Sequence, residues 1–394
     1  MQQDNIVIVS AARTPLGGFQ GALAEVSAPT LGAIAIGAAI ERAGIDADMV
    51  DEVFMGCVIP AGLGQAPARQ AALGAGLPYK SGATTINKVC GSGMKTVMLA
   101  HDLMKAGNGE IMIAGGMESM TNAPYLLSKA RSGFRMGHGE IKDAMFLDGL
   151  EDAYDKGKLM GVFAQETADQ YGFTREAQDE FALESLRRAK SAIDTGAFKD
   201  EITPVTIQTR KGENVVDTDE QPLKAKPEKI PTLRPAFRKD GTITAANASS
   251  ISDGAAALVV MTESRANALG LTPMARIVAH ATHSRKPAEF TIAPVGAIEA
   301  VLARAGWTTD DVDLFEINEA FAMVTMAAMH DLKLPHDKVN VHGGACALGH
   351  PLGATGARII VTLLHALKQR SLKKGVAALC IGGGEATAIA IEVL

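Results

Sequence analysis

Over the first 120 residues, short apolar runs alternate with stretches of helical spacing. The runs at 6–10, 52–55, 84–89 and 110–114 are apolar at successive positions, the pattern of strands covered on both faces. Between them, 30–43, 66–75 and 91–105 carry helix patterns. This rhythm predicts a layered α/β domain. It breaks after residue 120, where 121–248 is more polar and irregular. Within that stretch an amphipathic helix is expected at about 175–192. Thr174 would cap it, Glu176 and Glu180 suit its first turns, and Arg187, Arg188 and Lys190 suit its end. A stretch rich in lysine and proline follows at 221–238. The segment reads as an inserted lobe. The rhythm returns from Asp253, with strands expected at 257–261, 276–282, 314–317, 376–381 and 388–393, and helices at 294–305, 320–330 and 356–368.

The two rhythmic parts look like copies of one unit. Residues 6–13 (IVIVSAAR) resemble 275–282 (ARIVAHAT), and 51–56 (DEVFMG) resemble 313–318 (DLFEIN). The helix after Cys90 leads to 113–118 (IAGGME), and the helix after His350 leads to 380–385 (CIGGGE). The shared order points to a duplicated α/β unit. A duplication relates corresponding turns by a pseudo-twofold axis, which can set Cys90 face to face with His350.

With 394 residues the chain is too long for one simple core and should hold two or three domains. Hydrophobic residues at 47% and charged residues at 21% suit a globular protein, and a net charge of −6 argues against nucleic acid as partner. Four cysteines with no CxxC pair suggest neither a zinc ribbon nor a disulfide framework, and free thiols suit a reducing compartment. No apolar run approaches a membrane span. The strand pattern begins almost at once, leaving no room for a leader, so a cytoplasmic location is expected.

Four turns carry candidate chemistry. Cys90 precedes Gly91 and Gly93 at a strand-to-helix junction, where unpaired helix amides favour a thiolate and the Cys90 N–H can hold an oxyanion. Alone, such a residue is more often a buried structural cysteine. His350 lies between Gly349 and Pro351 in a glycine-rich loop leading into a helix, placed to act as base toward a thiol. A helix-capping role is the plainer alternative. Metal binding by His342, Cys346 and His350 is disfavoured, because Gly343, Gly344 and Pro351 interrupt the helix that their spacing needs. Cys380 ends an apolar strand before three glycines, where a thiol can move a proton to and from carbon and the Gly382 amide can donate to an oxyanion. A strand-end core cysteine is the alternative. Asn318 follows the strand at 314–317, either as a helix N-cap or with its amide orienting a water or carbonyl. Cys57 and Cys346 lack this setting and read as structural. Two thiols, an imidazole and an amide on tight turns suit carbon–carbon bond chemistry through a covalent thioester.

Together, Asn87 to Met94 (NKVCGSGM), Asn318 to Phe321 (NEAF), Gly349-His350-Pro351 and Cys380 to Gly384 (CIGGG) resemble the thiolase family, and within it the branch that condenses acetyl-CoA. The resemblance runs from Ala11 to the C-terminal strand. It implies a five-layer αβαβα fold of two similar halves, 1–120 with 249–272 and 273–394, and an inserted loop domain at 121–248. It implies that Cys90 is acylated by acetyl-CoA with His350 taking its proton. Cys380 then deprotonates a second acetyl-CoA, whose carbanion attacks the thioester to give acetoacetyl-CoA. A water on Asn318 with His350 would form one oxyanion site, and the amides of Cys90 and Gly382 the other. Coenzyme A would be substrate and product, with no metal or other cofactor. Ser249, Met160, Phe237 and Phe321 match substrate-pocket positions, and Lys224 is the nearest cation for the nucleotide. Leu159 stands where biosynthetic members often carry histidine. The resemblance also implies a homodimer or homotetramer, with Arg131, Gly133, Phe134 and Gly137 in a tetramer-forming segment. A broader degradative 3-ketoacyl-CoA thiolase is the nearest alternative. A carrier-protein-dependent ketoacyl synthase fits less well, because Asn318 and Cys380 depart from its Cys-His-His site. A non-catalytic binding protein of the same fold is the remaining reading.

Overall fold

The apolar runs form one mixed sheet in a computed structural model that describes residues 4–210 and 212–394. Its strands lie in the order Leu314–Ile317, Lys374–Ile381, Glu385–Val393, Ala275–Ser284, Ile6–Arg13, Ser252–Thr262, Ile111–Ser119, Glu52–Gly56 and Gly82–Ile86. A short strand, Gly17–Gly18, pairs with Ser252–Thr262. The sheet is two half-sheets meeting at a narrow seam. Ile6–Arg13 touches Ala275–Ser284 only through Val7 opposite Arg276 and Ile8 opposite Ala275, while each ladders along most of its length to its other neighbour.

Helices Ser92–Lys105 and Leu352–Gln369 pack against each other between the half-sheets. Ala28–Ala43 and Pro67–Gly74 cover the outer face of the first half-sheet, and Ala293–Ala305 the outer face of the second, with Ala322–Leu332 beside it. The result is the expected five layers. Apart from the exposed edge strand Gly82–Ile86, both faces of each half-sheet are therefore largely dry, which is why the inner strands read as apolar runs. Ser252–Thr262 shows the consequence: Ala256, Leu258 and Val260 enter the central core, Ala255, Ala257, Val259 and Met261 enter the outer core, and every residue is buried.

The duplication appears in detail at the seam. Ile6–Arg13 carries a β-bulge between Ile8 and Ser10, and Ala275–Ser284 carries one between Ile277 and Ala279, the matching position when residue 6 is set against 275. The same alignment pairs Val7 with its own counterpart, Arg276, so the pseudo-twofold axis passes through that pair. Each bulge reverses the inward phase of its strand. Ile6, Ile8 and Ala11 face the central core on one side of the axis, and on the other Ala275 and Ile277 face it before Ala279 and Ala281 turn outward.

Between Ser119 and Ser252 the chain leaves the layers. The expected helix runs Arg175–Thr195, and Thr174 caps it by accepting from the Ala177 N–H at 3.2 Å. A second helix, Met160–Tyr171, and a hairpin, Val205–Thr209 with Gly212–Val216, were not evident from the pattern. This region is tied to the first strand by Arg13. Its fully buried guanidinium binds Glu201 at 2.5 Å and Asp219 at 2.7 and 2.9 Å. No helix among the described residues is long and apolar enough to cross a membrane.

Candidate active site

Cys90 sits two residues before one central helix and His350 two residues before the other. The helix starts come together because glycine lines the crossing. A Cβ on Gly93 would lie 2.8 Å from the Ala357 nitrogen, and one on Gly356 would lie 2.3 Å from the Met94 nitrogen. The turn ahead of Cys90 is braced by side chains. Ser92 Oγ accepts from the Lys88 N–H at 2.8 Å and donates to the Val89 carbonyl at 2.6 Å, while Asn87 Oδ1 accepts from the Val89 N–H at 2.9 Å. These bonds hold Val89 at φ +45°, a costly conformation for a β-branched residue, immediately before the thiol.

His350 is buried. Its Nδ1 lies 2.7 Å from Thr355 Oγ1, and that hydroxyl donates to the Pro351 carbonyl at 2.9 Å. With its proton committed, Thr355 must accept, so the imidazole proton sits on Nδ1. Nε2 is then a bare acceptor, and it is buried without a protein partner. Burial, with the nearby Arg358 charge adding to it, pushes His350 down to about 3, so the ring is neutral. The loop that presents it hangs from Glu319. This buried carboxylate accepts from Ser185 Oγ at 2.7 Å, Asn340 Nδ2 at 2.9 Å and the Cys346 N–H at 3.1 Å. Glu118 performs the same service opposite, accepting from the backbone N–H groups of Val58, Ile59 and Gly353.

The backbone N–H groups of Gly382 and of Cys90 itself favour a charged Cys90 sulfur. Burial outweighs these two donors and raises Cys90 to about 11. The helix amides lend thiolate character as expected, but a dry pocket favours the neutral thiol, which leaves a proton for His350 to take. Cys380 is buried and pushed up by burial first and by Cys90 second, which puts the two sulfurs in one electrostatic neighbourhood.

Cys90, His350, Cys380 and Gly382 line one cavity of about 400 Å³, together with Met160, Phe237, Ser249 and Phe321. Its wall is apolar and aromatic: Phe237 and Phe321 meet edge to face at 6.0 Å, and Leu159 and Phe290 complete the lining. A Cβ on Gly382 would meet Met160 Sδ at 3.3 Å, so the amide that faces Cys90 also abuts the pocket wall. Ser249 is fixed by its N–H to the Ala320 carbonyl at 3.0 Å, which joins the end of the 121–248 stretch to the segment after Asn318.

Asn318 is not an N-cap, because the helix begins at Ala322 with Phe321 in the capping position. Its N–H donates to the Ala378 carbonyl at 3.0 Å, which places it beside the strand that ends at Cys380. Both polar atoms of its amide are buried with no protein partner, which leaves them for a water, and Asn318 itself is not among the residues that line the cavity. Lys224 is not brought to the cavity: its ammonium pairs with Glu220, four residues earlier on the same short helix. Cys57 and Cys346 are structural in setting, with Cys57 Sγ 3.6 Å from Glu118 Oε1 and Cys346 Sγ 3.7 Å from the Glu319 carbonyl. Sequence reasoning missed Thr355, Glu118, Glu319 and Phe290. Only Thr355 left a signal, as a hydroxyl one turn into the helix that follows His350.

Residues 6–264 match the family description "Thiolase, N-terminal domain", and residues 271–393 match "Thiolase, C-terminal domain". The chain is similar to an acetyl-CoA acetyltransferase of Escherichia coli, at 54% identity over 392 residues, covering 99% of each chain. It is 52% identical over 390 residues to one from Cupriavidus necator, covering 98% of this chain and 99% of that one. Among solved structures, the acetyl-CoA acetyltransferase of Bacillus anthracis superposes with a TM-score of 0.97 at 44% identity, covering 100% of this chain and 99% of that one. A thiolase from Ascaris suum in complex with coenzyme A superposes with a TM-score of 0.93 at 42% identity, covering 99% and 100%.

Proposed function

This chain belongs to the thiolase family, and we propose on that footing that its cavity transfers acetyl groups through Cys90. The activity is that of an acetyl-CoA acetyltransferase, the reversible condensation of two acetyl-CoA to acetoacetyl-CoA and coenzyme A. The observation that carries the assignment of roles is the bare, buried Nε2 of His350 in the cavity that holds both thiols.

Cys90 attacks the acetyl-CoA carbonyl as His350 Nε2 takes the thiol proton, and the same proton leaves with the coenzyme A sulfur. The acyl-enzyme then meets a second acetyl-CoA. Cys380 gives up its own thiol proton to solvent and, as thiolate, removes a methyl proton, and the carbanion attacks the Cys90 thioester. The departing Cys90 sulfur recovers that methyl proton from Cys380, which regains its own from solvent, so the site returns to its starting state. In this reading the amides of Gly382 and Cys90, which favour a charged Cys90 sulfur, serve the thioester oxyanion, and the unpartnered amide of Asn318 with His350 serves the other oxyanion. Ser249, Met160, Phe237 and Phe321 hold the acyl and pantetheine portions. Coenzyme A is a substrate and product, and no further cofactor enters the scheme.

We assign 1–120 with 249–272 and 273–394 to the two halves and 121–248 to a loop domain. Exposed Tyr125, Leu127, Phe134, Met136 and Ile141 in one stretch of that domain support a homo-oligomer, a dimer or tetramer, and the chain's four unpaired cysteines suit the reducing cytoplasm. A broader chain-length range is the second reading, favoured by the apolar wall that Leu159 extends. The deciding experiment measures coenzyme A-dependent thiolysis of acetoacetyl-CoA beside longer 3-oxoacyl-CoAs, with the mass of the protein after acetyl-CoA. A sharp preference for acetoacetyl-CoA and one acetyl adduct, absent in Cys90→Ser, are expected. Comparable cleavage of longer chains would establish the broader enzyme, and no adduct would remove the acyl-Cys90 scheme.

A further inference from the structure

Outside the reaction cavity, three donor atoms from two elements converge on one point. His101 and Asp102 are neighbours on the central helix Ser92–Lys105, and His280 lies on the strand Ala275–Ser284 across from them. His280 Nε2 is 3.2 Å from His101 Nδ1 and 2.8 Å from Asp102 Oδ1, and His101 Nδ1 is 3.0 Å from the same oxygen. The two imidazoles meet edge to face, with centroids 4.9 Å apart. Successive side chains on a helix diverge by about 100° and do not normally face a common point.

Hydrogen bonding accounts for only two sides of this triangle. The carboxylate oxygen can accept from both rings, but the nitrogen–nitrogen edge then joins two donors. A cation in the middle would satisfy all three. A tetrahedral ion with arms of about 2.0–2.1 Å needs its donors roughly 3.3 Å apart, only slightly more than these edges. We propose that His101, Asp102 and His280 form a binding site for one divalent transition-metal ion of the zinc class, with solvent completing its coordination. Two imidazoles and one carboxylate select such borderline ions over magnesium and calcium, which require oxygen. These are also the only three described residues whose His, Cys, Asp or Glu donors converge in this way.

The setting suits reversible loading. The histidine side chains are 14% and 12% exposed and Asp102 is 54% exposed, so an ion can enter through the carboxylate side. Lys105 and Lys95 oppose a cation here, so coordination bonds rather than net charge must hold it. His280 Nδ1 would carry the ring proton in the bound state and is buried without a partner, which makes His280 the ligand that limits affinity. A bound ion would tie the helix that begins beside Cys90 to a strand of the other half, across the seam, and would stabilise the fold by mass action.

The test uses the untagged full chain, stripped by chelator and alkylated with iodoacetamide to remove accessible thiols. It is titrated with Zn²⁺ by calorimetry and with Co²⁺ by visible absorption. One ion per chain is expected, with d–d bands, no thiolate charge-transfer band and a rise in Tm. His280→Gln and Asp102→Asn should each weaken binding at least about tenfold, within the 10–100-fold range that loss of supporting groups costs, and should leave thiolysis unchanged. No saturable binding, a thiolate band, or undiminished binding in these variants would overturn the site. Should His280→Gln not fold, the exposed Asp102→Asn decides alone.

Discussion

At the scale of residues, one hydroxyl decides which nitrogen of His350 is free. Thr355 gives its proton to the Pro351 carbonyl and must therefore accept from Nδ1. Thr355→Val keeps the shape and removes the acceptor, freeing the ring to place its proton on Nε2. Acetylation of Cys90 should slow at least about tenfold, as a base in the wrong tautomer forfeits part of the roughly 10²–10⁴-fold that general base catalysis supplies. Single-turnover acetylation followed by mass spectrometry reads this directly, and an unchanged rate would mean that another group sets the tautomer. Cys90, His350 and Cys380 were legible in the sequence because each stands on a glycine-rich turn that a packed helix or strand interior would not keep. Thr355 was not, because a threonine in the first turn of a helix is ordinary until the histidine folds back onto it. Lys224 shows the opposite failure. A cation near the expected nucleotide site invited a functional reading, but Glu220 stands one helical turn away and takes it.

At the scale of elements, the apolar runs located every long strand of the sheet, and the structure extended most of them by one to five residues at an end. Extension is expected where small residues continue a strand. Asp253 to Ala256 and Gly116 to Ser119 carry little hydropathy signal, yet they ladder to each other in full register. The helix Met160–Tyr171 escaped notice because its buried face includes Gly161, Gln165 and Thr167. Gln165 lies inside because its carbonyl accepts from the Thr242 and Ile243 N–H groups at 2.7 and 3.1 Å, partners no local pattern contains. The crossing of the central helices depends on Gly356, where an added methyl group would meet the Met94 backbone. Gly356→Ala should destabilise the protein by about 1–3 kcal/mol, the usual penalty of overpacking, and should misplace His350 relative to Cys90. A lowered denaturation midpoint with a slower acetylation rate checks both. An unchanged midpoint would show that the helices can part at this point without loss.

At the scale of the whole molecule, the region between Ser119 and Ser252 is held to the layered body by a buried ion cluster. Arg13, on the first strand, is fully buried against Glu201 and Asp219, some two hundred residues further along the chain. Burial opposes the charge on Arg13, but the two carboxylates prevail and hold its pKa above the ordinary arginine value. Removing one member of such a cluster leaves charge stranded in a dry place, so Arg13→Met should cost roughly 3–5 kcal/mol. Chemical denaturation measures it, and a loss below about 1 kcal/mol would show that water reaches the pair. The same region helps shape the cavity, since Met160 and Phe237 come from it while the thiols and the imidazole come from the layered body.

The sequence by itself determined the layers and the duplication, and it singled out Cys90, His350 and Cys380, which the fold gathers in one cavity. Hydropathy spacing reports which faces are dry, and glycine-rich turns report where the backbone must bend tightly. Only the tertiary structure decided that Cys90 rests as a neutral thiol, that Asn318 caps nothing, that Lys224 is already paired, and that two histidines and an aspartate meet across the seam. Each of these depends on burial or on a partner distant in sequence. Desolvation and long-range pairing exist only once the chain has closed on itself.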